Sequence, residues 1–157
     1  MNKSLIVLDD VLPTTDGLSH LIDNKLEADD WYDMDGSHAY KEFCLTILNI
    51  AGDYFDLSDA IGYEFWGHNG TRTGWHYDKD EDLLEREGEY SFPLCSTVYY
   101  LEVDRLQGGQ LAVESDLITP KTNRLVMFSP GKYHKVNRYK GKRVSLLINP
   151  WSHPLCR

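Results

Sequence analysis

The sequence predicts an α+β, mainly β domain: helices first, then a β-sandwich or barrel, with the helices bracing one sheet. Three observations carry this. Apolar residues recur at helical spacing in the first third of the chain. From Ile61 to Trp151 the chain breaks into short runs rich in β-branched and aromatic residues. Turn dipeptides separate those runs.

Leu5–Asp9 reads as a short strand. Thr14 or Thr15 caps a helix running to about Lys25, with Leu18, Leu21 and Ile22 on one face. Residues 28–37 are polar and contain glycine, so they read as a loop. A second helix is expected from His38 to about Phe55, burying Phe43, Ile47, Ile50 and Ala51. Strands are expected at 61–67, 72–77, 93–103, 109–114, 124–129, 133–137 and 143–149. Asn69-Gly70, Gly108-Gly109, Pro130-Gly131 and Lys140-Gly141-Lys142 punctuate them.

A chain of 157 residues can bury a core of its own, so one domain is expected over residues 1–157. Residues 1–60 would supply the first strand and supporting helices, and 61–151 the β-core. With 41% hydrophobic and 26% charged residues, the composition is that of a soluble globular protein. No apolar run approaches the ~20 residues of a membrane span, so no membrane partner is expected. The apolar stretch after Met1 is too short for a secretory signal. A net charge of -9 opposes a phosphate backbone and demotes nucleic acid as a partner. Cys44, Cys95 and Cys156 form no CxxC pair and read as free thiols in a reducing cytoplasm. No pattern specifies an oligomeric state.

His76-Tyr77-Asp78 is the first segment with chemical content. On a strand, residues i and i+2 face the same way, so an imidazole and a carboxylate project together. His134, on a later strand, offers a third ligand. Two histidines and a carboxylate on one face of a metal leave positions open, the arrangement of non-haem Fe(II) oxygenases. The His-x-Asp pattern alone favours a hydrated surface pair. Arg143 and Ser145 share a strand face within an apolar run, where a buried cation is costly without an anion. Its guanidinium fork suits a planar carboxylate from a protein side chain or a dicarboxylic ligand.

These segments together resemble the Fe(II)/2-oxoglutarate-dependent dioxygenases, and among them the prolyl hydroxylase group. The resemblance runs through Asn69-Gly70-Thr71, His76-Tyr77-Asp78, Val98-Tyr99-Tyr100-Leu101 and Gly108-Gly109-Gln110-Leu111. It continues through Asn123-Arg124-Leu125-Val126-Met127-Phe128, His134-Lys135-Val136 and Arg143-Val144-Ser145. It covers Ile61 to Trp151 and implies a double-stranded β-helix core of the jelly-roll or cupin-like kind. It implies Fe(II) held by His76, Asp78 and His134, with 2-oxoglutarate and O₂ as cosubstrates and ascorbate as a further cofactor. It implies that Arg143 binds the distal carboxylate of 2-oxoglutarate, helped by Ser145 and Tyr100, and that Leu111 lines the pocket. The chain departs from the family pattern at Trp66, where a tyrosine usually stands three residues before Asn-Gly. Tyr63 is out of register.

The expected reaction is hydroxylation of an unactivated C–H, with a prolyl residue of a protein or peptide as the leading substrate and succinate as coproduct. Presence of Asp78 argues for hydroxylation, because related halogenases lack the carboxylate ligand. The alternatives are a non-catalytic metal or 2-oxoglutarate-binding sensor or scaffold, or a dioxygenase acting on a free amino acid, another small molecule or a nucleobase. Residues 79–92 read as a loop, either mobile over the site entrance or a solvated linker. Leu83 stands where an EF-hand loop needs glycine, so calcium is rejected. Trp66, Trp75 and Tyr77 flank the ligands as core or as groove. Lys132, Lys135, Arg138, Lys140 and Lys142 read as a solvated hairpin tip.

Overall fold

The computed structural model describes residues 4–18, 30–70 and 72–155. Its elements are β1 (Leu5–Asp9), β2 (Asp30–Asp33), α1 (Lys41–Ala51), β3 (Gly62–His68) and α2 (Glu81–Glu87). They continue with β4 (Ser96–Gly108), β5 (Leu111–Val113), β6 (Asp116–Ile118), β7 (Arg124–Phe128), β8 (His134–Val136) and β9 (Tyr139–Trp151). Two antiparallel sheets face each other: a six-stranded one, β1-β7-β4-β9-β3-β2, and a three-stranded one, β6-β5-β8.

Period-2 alternation splits the apolar residues of the large sheet between two cores. On β7, Leu125 and Met127 face outward, while Val126 and Phe128 face the small sheet. Outward residues Tyr63, Phe65, Tyr99, Leu146 and Ile148 meet α1, which buries Phe43, Cys44, Ile47, Leu48 and Ala51 at helical spacing. Inward residues Val98, Tyr100, Val126 and Phe128 pack on Leu111, Val113 and Val136 of the small sheet. A helix thus braces one face of the large sheet, and the other face closes the sandwich. The fold is mainly β, as expected.

A register shift between Tyr100 and Glu102 inserts one extra residue, Leu101, opposite β9. Leu101 joins the outer core, so Tyr100 and Val103, three positions apart, both face inward.

Several expectations need correction. The loop at 28–37 contains β2, which pairs with β3 through Trp31↔Glu64 and Tyr32↔Tyr63. The strand at 72–77 shrinks to a single bridge, His76↔His134. The loop at 79–92 contains α2, whose N-cap Asp80 accepts from Leu83 N–H at 3.1 Å and whose chain turns off at left-handed Gly88. That helix is too short to show an apolar period, which is why it read as a loop. Strand β6 was not expected, and the second helix is shorter than His38–Phe55. The first expected helix lies, beyond Leu18, outside the described residues, as does Cys156.

Candidate active site

The bridge between His76 and His134 starts the site. Each backbone N–H donates to the other residue's carbonyl at 2.9 Å, and the two imidazole centroids lie 4.3 Å apart. A hydrogen-bonded antiparallel pair puts both side chains on one face. Asp78, two residues on, joins them. One donor atom from each of the three lies within 4.8 Å of the others, a group able to hold a metal ion.

The outer contacts prepare each donor. Nδ1 of His76 lies 2.8 Å from the Gly74 carbonyl, and Nδ1 of His134 lies 2.8 Å from the Lys132 carbonyl. A carbonyl can only accept, so Nδ1 of each ring carries the proton and each Nε2 turns to the common point. Asp78 Oδ2 accepts from Ser96 Oγ at 2.7 Å and from Asn149 Nδ2 at 3.0 Å. Oδ1 is left toward the histidines, 3.3 Å from His134 Nε2 and 3.8 Å from His76 Nε2. Burial alone would raise the Asp78 pKa. Bonds from His134, Ser96 and Asn149 outweigh it and hold the carboxyl at about 2. Burial lowers the His134 pKa, but the bond to Asp78 and its charge win and raise it above the usual imidazole value. The side chain of His76 is 39% exposed, against 12% for Asp78 and 6% for His134, so the cluster opens to solvent past His76. Two imidazoles with Nε2 turned inward, that of His134 available once a metal displaces the proton it shares with Asp78, and one fixed carboxylate oxygen, open on one side, fit an Fe(II) ion that must keep positions for other ligands.

Behind this cluster lies the buried Arg143. Its Nε donates to the Gly109 carbonyl at 3.0 Å, Nη1 to Ser145 Oγ at 3.4 Å, and Nη2 to Tyr100 OH at 3.2 Å. All three acceptors are neutral. No carboxylate among the described residues lies within ion-pair distance, although a buried charge is costly without one. The Gly108-Gly109 turn makes the Gly109 contact available: both residues have positive φ, and a Cβ on Gly108 would collide with the Arg138 carbonyl. One cavity joins Arg143 and Ser145 to His76, Asp78 and His134, and Leu111, Val98 and Leu147 form its apolar wall. It has the chemistry of a slot for an anion that reaches from a metal to a guanidinium.

Residues 61–153 match the family model described as the 2OG-Fe(II) oxygenase superfamily. The chain belongs to this superfamily. The oxygenase is therefore a dioxygenase that depends on Fe(II) and 2-oxoglutarate and consumes O₂. Its fold is similar to that of a Pseudomonas putida prolyl-4-hydroxylase, with a TM-score of 0.65 and 17% identity over 96% of this chain and 94% of that one. A 2OG-Fe(II) oxygenase family oxidoreductase from Burkholderia pseudomallei gives a TM-score of 0.62 and 13% identity over 98% and 87% of the two chains. A prolyl hydroxylase from Trichoplax adhaerens, in complex with a hypoxia inducible factor oxygen degradation domain peptide fragment, gives 0.61 and 13% over 95% and 84%. No curated protein matches the chain significantly in sequence.

The seven site residues read from the sequence all converge in the oxygenase: six line the cavity, and Tyr100 is bonded to Arg143 behind it. Ser96 and Asn149 were missed. Both occupy inward positions, in the series Ser96, Val98, Tyr100 on β4 and Arg143, Ser145, Leu147, Asn149 on β9, so counting by two from the residues already singled out would have found them. Trp66 lines the cavity, whereas Tyr63 is buried on the opposite face and bonded to His38 at 2.6 Å. His68 also lines the cavity. Among the described residues, no helix is long and apolar enough to cross a membrane.

Proposed function

We propose that the oxygenase hydroxylates a prolyl residue of a protein or peptide and couples this to decarboxylation of 2-oxoglutarate to succinate. The observation that carries the cosubstrate part is the buried Arg143, which shares a cavity with three metal-competent side chains and has no carboxylate partner among the described residues. In this reading His76, Asp78 and His134 hold Fe(II). Arg143 and Ser145 bind the distal carboxylate of 2-oxoglutarate, Tyr100 orients the guanidinium, and Leu111 sets the apolar wall. Fe(II), when bound, supplies the O₂ activation that side chains lack. The chain supplies geometry: Ser96 and Asn149 fix the Asp78 carboxylate, the backbone carbonyls fix both imidazole tautomers, and the apolar wall keeps water from the slot.

The prolyl assignment rests on the likeness to prolyl hydroxylases and on the rim. Trp75, Tyr77 and Tyr133, each adjacent to a ligand, form a continuous ring cluster, with Trp75 stacked on Tyr133 at 5.3 Å between centroids and Tyr77 tilted against Tyr133 at 4.8 Å. Trp75 and Tyr133 are each 42% exposed, which a core role would not require. Exposed aromatic faces suit prolyl rings of an extended peptide. Cys44 and Cys95 are buried thiols outside any disulfide among the described residues, which supports a reducing, cytoplasmic setting.

The test is succinate formation from 2-oxoglutarate with Fe(II), ascorbate and an array of proline-containing peptides, followed by mass spectrometry for one added oxygen. Peptide oxidation at proline is the expected result. Metal binding without any 2-oxoglutarate turnover would overturn the catalytic reading in favour of a scaffold.

A further inference from the structure

A second pocket adjoins the active-site cavity. Arg72, Lys135 and Arg138 line it together with Trp75, and Thr73 and Val136 form a wall common to both spaces. No carboxylate lines it, and none of its three cations has a carboxylate partner among the described residues. Other cations of the same region are paired: Lys132 reaches Glu114 at 3.3 Å and Lys142 reaches Glu102 at 3.0 Å. The region is therefore not a uniformly solvated hairpin tip. In a chain of net charge -9, three unpaired cations in one concavity are a concentrated exception. Lys135 Nζ sits 5.0 Å from the centre of the Trp75 ring, which holds the ammonium at the pocket by cation–π attraction.

The pocket's position links it to the reaction. The metal-competent cluster opens past His76, and Trp75 is the residue immediately before it in the chain. We infer that this pocket binds the carboxylate of an acidic side chain flanking the target residue of an extended peptide substrate. This rests on the peptide-hydroxylase reading of the neighbouring site. An acidic peptide is favoured over nucleic acid because three cations neutralise only a short stretch of phosphate. Helix α2, which begins three residues after Asp78, carries Glu81, Asp82, Glu85 and Glu87, which repel a polyanion. A peptide with one acid on the Trp75 side avoids that repulsion.

The experiment uses proline-centred peptides made in pairs, with glutamate or glutamine at successive positions on either side of the proline. Hydroxylation is read by mass spectrometry, and binding by fluorescence anisotropy of labelled peptides. The glutamate peptide of at least one pair should bind roughly five- to ten-fold more tightly and show a KM lowered to match. The variant R72Q/K135Q/R138Q should bind both members of that pair equally. The single variant K135Q should lose part of the preference should the triple variant fail to fold. K142Q, outside the pocket, should keep the preference. Peptides hydroxylated without any acidic preference overturn the pocket assignment and leave the hydroxylase reading intact. An array with no hydroxylated peptide overturns both. A single-stranded oligonucleotide held more tightly than every glutamate peptide assigns the pocket to phosphate and also overturns the inference.

Discussion

Asn149 Nδ2 donates to Oδ2 of Asp78 at 3.0 Å, while its Oδ1 accepts from the backbone N–H of Thr97 at 3.2 Å. The side chain thereby ties a metal-competent carboxylate to the backbone of β4. With Ser96 on the other approach, it saturates one oxygen of Asp78 and leaves the other for a cation.

Asn149→Ala should weaken Fe(II) binding by roughly 10- to 100-fold, the usual effect of removing a group that orients a ligand. Anaerobic Fe(II) titration checks this, with Ser96→Ala as the parallel variant on the same oxygen. An unchanged Kd for both variants would show that Asp78 holds its orientation without them.

Arg143 implies opposite effects on stability and on function. A buried cation with only neutral partners is destabilising until an anion arrives, so 2-oxoglutarate at about 100 times its Kd should stabilise the protein by ~2.7 kcal/mol. Arg143→Met should abolish that shift and raise KM for 2-oxoglutarate by roughly two orders of magnitude. Without cosubstrate, the variant should be as stable as the parent or more stable by ~1 kcal/mol. Thermal melts with and without 2-oxoglutarate measure both effects. A variant strongly destabilised in the absence of ligand would mean that Arg143 is a structural cation.

Gly109 presents the carbonyl that accepts from Arg143 Nε, and it does so at a φ of +75°. An added Cβ would lie 3.2 Å from Arg143 Cδ and 3.1 Å from Tyr139 Cβ. Gly109→Ala should therefore cost about 1–2 kcal/mol from the left-handed backbone and also loosen 2-oxoglutarate by about tenfold. Gly88, at +69° with nothing within 4 Å of a Cβ, is the matched control. Gly88→Ala should show a similar strain cost with no change in 2-oxoglutarate affinity.

What the sequence revealed of this site follows from period. Arg143 and Ser145 sit two apart on β9, and the strand turns that spacing into a common face, while His76 and Asp78, at the same spacing, rest on the single His76↔His134 bridge. Ser96 and Asn149 obey the same rule but carry residue types common in any strand, so chemistry did not single them out. Strand β2 was hidden because Asp30 and Asp33 bracket its Trp-Tyr pair, and its place at the sheet edge asks for little apolar pattern. The basic residues of 132–142 looked uniform in sequence. Their division into paired Lys132 and Lys142 and unpaired Lys135 and Arg138 depends on Glu114 and Glu102, which only tertiary structure brings near.

Cys95 gives a pH-dependent prediction away from the metal site. The thiol is fully buried, and burial pushes its pKa up to about 12, against about 8.5 in an unfolded chain. The neutral thiol is therefore the folded form across the working range, and native protein at about pH 8 should resist alkylation at Cys95. A raised folded pKa means the stabilisation is fully present below the unfolded pKa. Between about pH 8.5 and 10 the unfolded chain releases a proton that the folded one keeps, so stability should fall by up to ~1.4 kcal/mol per pH unit from this group. Urea unfolding across that window should show a shallower decline in Cys95→Val than in the parent protein. Equal slopes in the two proteins would mean that the buried thiol is ionised in the fold or reached by water.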